Sequence, residues 1–120
     1  MLITCDSRDI DRDYFLDMAS FYCKVLGIAQ IPDVEIEIVP YTGEDVDGYA
    51  VGYCYDMEDG YILIEIACDL RPADGPLGRV LAHEMVHARQ TIQGTGTFCE
   101  DEAVFLEEIL FRAYMEHPRC

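Results

Sequence analysis

His83, Glu84 and His87 stand in the run LAHEMVHARQ, residues 81 to 90. At about 100° per helical residue, positions four apart lie about 40° from each other and one turn apart, so both imidazoles can reach a single metal ion. A glutamate directly after the first histidine lies beside that ion without having to bind it. There it can poise and deprotonate a water, and zinc lowers the pKa of such a water to about 7. This is the H-E-x-x-H arrangement. Val80, Leu81, Met85 and Val86 make the same helix apolar enough to be substantially buried. Two histidines and a glutamate on a buried element need polar partners or a metal. The competing reading is a buried structural polar cluster.

A catalytic zinc takes three protein ligands and keeps one position open. The segment FCEDEA, downstream of the histidines, offers Glu100, Asp101 and Glu102. The apolar arc of the helix that follows centres on Ala103, Leu106 and Leu110, and Glu100 and Glu102 flank it on opposite sides at similar angles. Periodicity leaves both open. Thr97-x-x-Glu100 is also a capping-box pattern, in which the glutamate serves only its own helix.

The elements that must position these residues follow from periodicity. Tyr14, Phe15, Met18, Phe21, Tyr22 and Val25 recur with helical spacing between about Ile10 and Leu26, with Gly27 as the stop. VEIEIVP, Val34 to Pro40, alternates as a strand with one buried face. After the turn-rich GEDVDG, the runs YAVGYCY and YILIEIAC flank DMEDG, whose Asp59-Gly60 step suits a hairpin. Ile62, Ile64 and Ile66 form the face expected to meet helices, and Tyr61, Leu63 and Glu65 form the other. Pro76 to Gln93 reads as the histidine helix, ended by Gly94, and a last helix runs from near Phe98 to about Glu116, before Pro118. The expectation is an α+β domain in the order α, β, β, β, α, α, with a three-stranded, mainly antiparallel sheet.

Composition narrows the partners. The chain has 120 residues, a formal charge of −16 and one lysine, Lys24, so its surface repels a phosphate backbone, and no nucleic-acid partner is expected. Apolar residues make up 51% of the chain but lie in short runs, so no membrane span is expected. The N-terminal stretch lacks a basic start followed by an apolar block, which points to a cytoplasmic setting. Cys5, Cys23, Cys54, Cys68, Cys99 and Cys120 include no C-x-x-C pair, so neither a zinc ribbon nor a redox pair is suggested, and most should be buried thiols. A tight turn at Asp59-Gly60 would set Cys54 opposite Ile62 or Leu63, away from Cys68, which argues against a disulfide between the two cysteines.

With H-E-x-x-H at 83 to 87 and carboxylates on the next helix, the chain resembles the gluzincin metallopeptidases, and most closely the minigluzincins, which are single small catalytic domains. The resemblance covers H-E-M-V-H-A-R-Q, F-C-E-D-E-A and the preceding order of helix and sheet. It implies one zincin-like metallopeptidase domain over residues 1–120, acting on a protein or peptide substrate. The implied activity is that of a zinc-dependent endopeptidase, hydrolysing peptide bonds through a metal-activated water. In gluzincins a small residue commonly follows the ligand glutamate by three positions. Ala103 therefore points to Glu100, and by resemblance His83, His87 and Glu100 are the ligands, Glu84 is the base, and Glu102 is the alternative ligand. The strand YILIEIA would line the cleft and pair with extended substrate, making Leu63 and Glu65 substrate-binding candidates, although it also reads as a plain core strand.

The chain departs from larger gluzincins in two places. Where they often carry an Asp or Asn that orients a histidine, this sequence has Val104, leaving the task to Glu107 or a main-chain carbonyl. They also draw an oxyanion-stabilising group from a downstream subdomain. Here Tyr114 and His117 lie roughly 20 Å along a straight helix from Glu100, too far for that role. The C-terminal HPRC reads as a free tail, with a thiolate ligand for a latent state as its other reading. A non-catalytic or latent metal-binding or regulatory module with this fold is the alternative function.

Overall fold

A computed structural model describes residues 1–5, 12–41, 52–67, 77–94 and 99–116. Strand β1 (Leu2–Cys5) is followed by helix α1 (Arg12–Leu26), strands β2 (Glu35–Tyr41), β3 (Gly52–Asp56) and β4 (Tyr61–Ala67), and helices α2 (Leu77–Gln93) and α3 (Glu100–Glu116). The three helices and the three anticipated strands form where periodicity predicts them, and the whole is α+β.

The sheet itself differs from expectation. It has four strands in the order β1-β2-β4-β3, and only β3 and β4 are antiparallel. β1 runs parallel to β2, and β2 runs parallel to β4, so the mainly antiparallel three-stranded sheet is corrected to a mixed four-stranded one. Parallel neighbours need a crossover, and α1 supplies it between β1 and β2. β2 lies on the far side of β4 from β3, in a register that sets Ile36 beside Ile62 and Ile38 beside Ile64. One continuous isoleucine face results.

The hairpin turn is longer than a two-residue loop. Met57 N–H donates to Tyr61 O at 2.9 Å, Tyr61 N–H donates to Glu58 O at 3.0 Å, and Glu58, Asp59 and Gly60 all have positive φ. The pairing is centred on Asp59, which sets Cys54 opposite Ile64 and corrects the expected Ile62 or Leu63. Cys54 is a free thiol, as are Cys23 and Cys99; Cys5, Cys23 and Cys54 are buried and Cys99 is exposed. Cys68 lies outside the described residues.

Ile36, Ile38, Ile62, Ile64 and Ile66 are buried, so one sheet face meets the helices as the alternation predicts. α2 lies at the centre, packed against α1, α3, β3 and β4. Val80, Leu81, Ala82, Met85, Val86 and Ala88 are buried on it, which makes it apolar nearly all round. That burial takes Glu84, His87 and Gln90 out of water with it. Gly94, at φ 71°, ends α2 as expected and lets the chain turn back toward α3. No helix among the described residues is long and apolar enough to cross a membrane.

Candidate metal centre

α2 and α3 run antiparallel. Arg79 bonds Glu108 at 3.2 Å near one end of the pair, and His87 meets Glu100 at the other. His83 and His87, one turn apart on α2, hold their rings edge to face with centroids 4.8 Å apart. Potential ligand atoms of His83, Glu84 and His87 all lie within 4.8 Å of one another, a group that could hold a metal ion.

Glu100, the first residue of α3, brings a second carboxylate to the same place. Its Oε1 is 2.7 Å from His87 Nε2 and its Oε2 is 3.2 Å from His83 Nε2. Glu102 does not converge there. Its Oε1 accepts from Gln90 Nε2 at 2.9 Å and pairs with Arg89 at 3.3 Å, and these contacts hold its carboxyl below the ordinary range. The two flanking glutamates that periodicity left equal are thus separated by what α2 presents to each. Thr97, the other half of the capping-box pattern, lies outside the described residues.

Glu84 forms the floor. It is 4% exposed, and its Oε2 has no hydrogen-bond partner among the described residues. Burial pushes its carboxyl up to about 7, and Glu100 and Glu107 add to the rise against the opposing pull of His87. Gly52 on β3 makes room for this side chain. A Cβ there would stand 2.9 Å from Val80 Cγ1 and 3.2 Å from Glu84 Cγ. A glycine inside a strand often marks such a close approach, so the YAVGYCY run carried this signal, although the sequence reasoning did not single it out.

Each imidazole is also held from behind. Glu107 Oε2 lies 3.5 Å from His83 Nδ1, and Gln90 Oε1 lies 2.9 Å from His87 Nδ1. Glu107 is one of the two groups the sequence offered in place of Val104, which is itself 56% exposed. Gln90 was missed. Its signal was a polar residue three positions after His87, on a helix otherwise apolar enough to be buried.

Two expectations meet a different geometry. β4 is paired on both sides over most of its length, to β2 and to β3, so its backbone is not free to pair with an extended substrate. Leu63 and Glu65 alternate with the buried isoleucines and lie on the sheet face turned away from the helices. The substrate-binding expectation for both thus concerns the outward face of a strand that is already paired along both edges. Tyr114 is buried and donates to Asp17 Oδ2 at 2.7 Å, in keeping with its exclusion from an oxyanion role. His117 and the HPRC tail lie outside the described residues.

No protein-family model matches the chain, and no curated protein matches it either. The reading of the site therefore rests on its own geometry and chemistry.

Proposed function

We propose that this chain is a zinc-dependent endopeptidase of the gluzincin kind, with His83, His87 and Glu100 as metal ligands and Glu84 as general base. The observation that carries the reading is the approach of both Glu100 oxygens to the two Nε2 atoms, beside a buried Glu84 oxygen with no hydrogen-bond partner among the described residues. Glu84 is the other candidate for third ligand because it belongs to the tight triad. We favour Glu100, since it faces both Nε2 atoms at once and leaves Glu84 free for proton transfer.

The donor set fits zinc. Two imidazole nitrogens and one carboxylate form the N,N,O set of catalytic zinc sites, with bonds of about 2.0–2.2 Å that place tetrahedral ligand atoms about 3.3 Å apart. The 3.2 Å separation of His83 Nε2 from Glu100 Oε2 matches that spacing, and the 2.7 Å separation at His87 is tighter. The Glu100 side chain is 66% exposed, so it can draw back by the few tenths of an ångström required. When bound, zinc supplies Lewis acidity, which acidifies water and polarises a carbonyl.

Glu84 accepts the proton of the attacking water and delivers it to the leaving amine nitrogen. Its burial matches its proton affinity to neutral solution, where it can do both. His83 and His87 present Nε2 to the site because Glu107 and Gln90 occupy the neighbourhood of their Nδ1 atoms. An extended peptide adds to the outer edge of β3, which has no strand partner there among the described residues and whose Gly52 leaves room beside the Glu84 stem that a Cβ would crowd.

A latent or non-catalytic metal-binding module is the second reading, favoured by the commitment of the Tyr114 hydroxyl to Asp17. Zinc content and casein cleavage distinguish the two, measured for wild type, Glu84→Gln, Glu100→Ala and Glu102→Ala. The enzyme reading expects zinc retained in Glu84→Gln with turnover reduced by about 10²–10⁴-fold. It also expects zinc lost in Glu100→Ala and retained in Glu102→Ala. Zinc without cleavage by wild type selects the module. Failure of wild type to take up zinc removes both.

A further inference from the structure

Gln90 is 2% exposed, and four of the polar contacts of its amide define its setting. Oε1 accepts from Cys99 N–H at 3.0 Å, and Nε2 donates to Cys99 O at 3.1 Å and to Glu102 Oε1 at 2.9 Å. The fourth contact is the 2.9 Å approach of Oε1 to His87 Nδ1. A main-chain N–H only donates and a main-chain carbonyl only accepts, so the Cys99 peptide fixes which end of the amide is oxygen. Turning the amide over would set N–H against N–H and oxygen against oxygen at Cys99.

The consequence for His87 is direct. Oε1 has no hydrogen to give, so the hydrogen of this contact belongs to Nδ1. A neutral imidazole carries one N–H, and with it on Nδ1 the lone pair is on Nε2, the atom that faces Glu100 Oε1. The same amide also grips the residue just before α3. Cys99 O accepts from Ala103 N–H at 3.2 Å in the first helical turn, so holding the Cys99 peptide holds the start of the helix on which Glu100 is the first residue.

Resting on the metal-site reading above, we propose that Gln90 is a positioning residue that couples the two halves of the ligand set. It locks His87 with hydrogen on Nδ1 and, through the Cys99 peptide, fixes where Glu100 enters the site. One side chain thus sets the tautomer of a ligand from α2 and the placement of a ligand from α3. Partners of this kind change metal affinity about 10–100-fold when removed.

The test compares full-length wild type with Gln90→Met, which keeps the length of the side chain and removes its hydrogen bonds. Zinc affinity is read by competition with a chromophoric chelator, the ligand geometry by the visible spectrum of the cobalt-substituted protein, and Cys99 by amide hydrogen exchange. The expected result is affinity weakened about 10–100-fold, an altered cobalt spectrum and a deprotected Cys99 amide. Equal zinc affinity in the two proteins overturns the role of Gln90 while leaving the metal site standing. Failure of wild type to bind zinc overturns the metal reading and the role together. If Gln90→Met does not fold, long-range ¹H–¹⁵N spectra of zinc-loaded wild type decide. His87 bound through Nε2 with hydrogen on Nδ1 supports the proposal, and the reverse arrangement overturns it.

Discussion

Where α2 begins and α3 ends, Tyr22 donates to Gly78 O at 2.9 Å and Tyr114 donates to Asp17 at 2.7 Å, inside a cluster of edge-to-face rings that includes Phe21. Gly78 lets the helices close there, since a Cβ would come within 2.7 Å of Phe111 and 2.8 Å of Met18 Sδ. Where α2 ends and α3 begins, the same two helices enclose two imidazoles, Glu100, and a Glu84 oxygen with no described partner. At the first end both buried tyrosine hydroxyls are satisfied within the chain. At the second, a buried carboxyl oxygen has no hydrogen-bond partner among the described residues. On the function proposed here, the difference separates an end built for stability from an end where stability is given up to chemistry.

The largest test of that contrast is Tyr114→Ala. Removing a buried aromatic side chain from a closed cluster should cost about 3–5 kcal/mol, a large fraction of the roughly 5–15 kcal/mol that holds a domain folded. Urea denaturation of the metal-free protein gives the value. A loss under about 1 kcal/mol would mean that the aromatic end is not the structural anchor. Glu84→Leu should act in the opposite direction, because it replaces a buried oxygen that has no partner among the described residues with an apolar group of similar size. A gain of about 1–3 kcal/mol is expected under the same conditions, with chelator present and hydrolysis abolished. Loss of stability in Glu84→Leu would show that the carboxyl is part of the framework, and the contrast would collapse.

The same contrast explains what could be read in advance. The histidine pair was legible because ligand spacing on a helix is a property of one element, and the isoleucine faces of β2 and β4 were legible because alternation is local too. Pairing is not local. Nothing in VEIEIVP says whether its partner is parallel, and LITC is too short for alternation to stand out, so β1 and the mixed sheet were missed. Glu100 and Glu102 were equal on their own helix and became unequal only through Arg89 and Gln90 on another. The setting of Leu63 and Glu65 was likewise a matter of neighbours. Their strand was identified correctly, but β2 and β3 flank it on both sides.

Gly52→Ala probes the boundary between the two kinds of region with the smallest expected change in stability. The added methyl would stand 2.9 Å from Val80 Cγ1, 3.2 Å from Glu84 Cγ and 3.3 Å from Glu65 O. Two of these neighbours are side-chain atoms, so strain can be relieved by moving Val80 and Glu84 without breaking the β3–β4 ladder. The cost should therefore lie near the lower end of overpacking penalties, about 1 kcal/mol. Turnover should respond more steeply, because a displacement of about 1 Å at a proton-transferring group can reduce a rate about 10²-fold. Zinc affinity should stay within a factor of about 3, since the three nearest neighbours of the added methyl belong to Val80, Glu84 and Glu65, and a change of about 0.65 kcal/mol corresponds to that factor. A variant with lowered turnover, near-normal stability and retained zinc would place Gly52 with the chemical end. Equal losses of stability and zinc affinity would instead mean that β3 transmits strain through α2 as a rigid body, and Glu84 would lose its separate standing from the ligands.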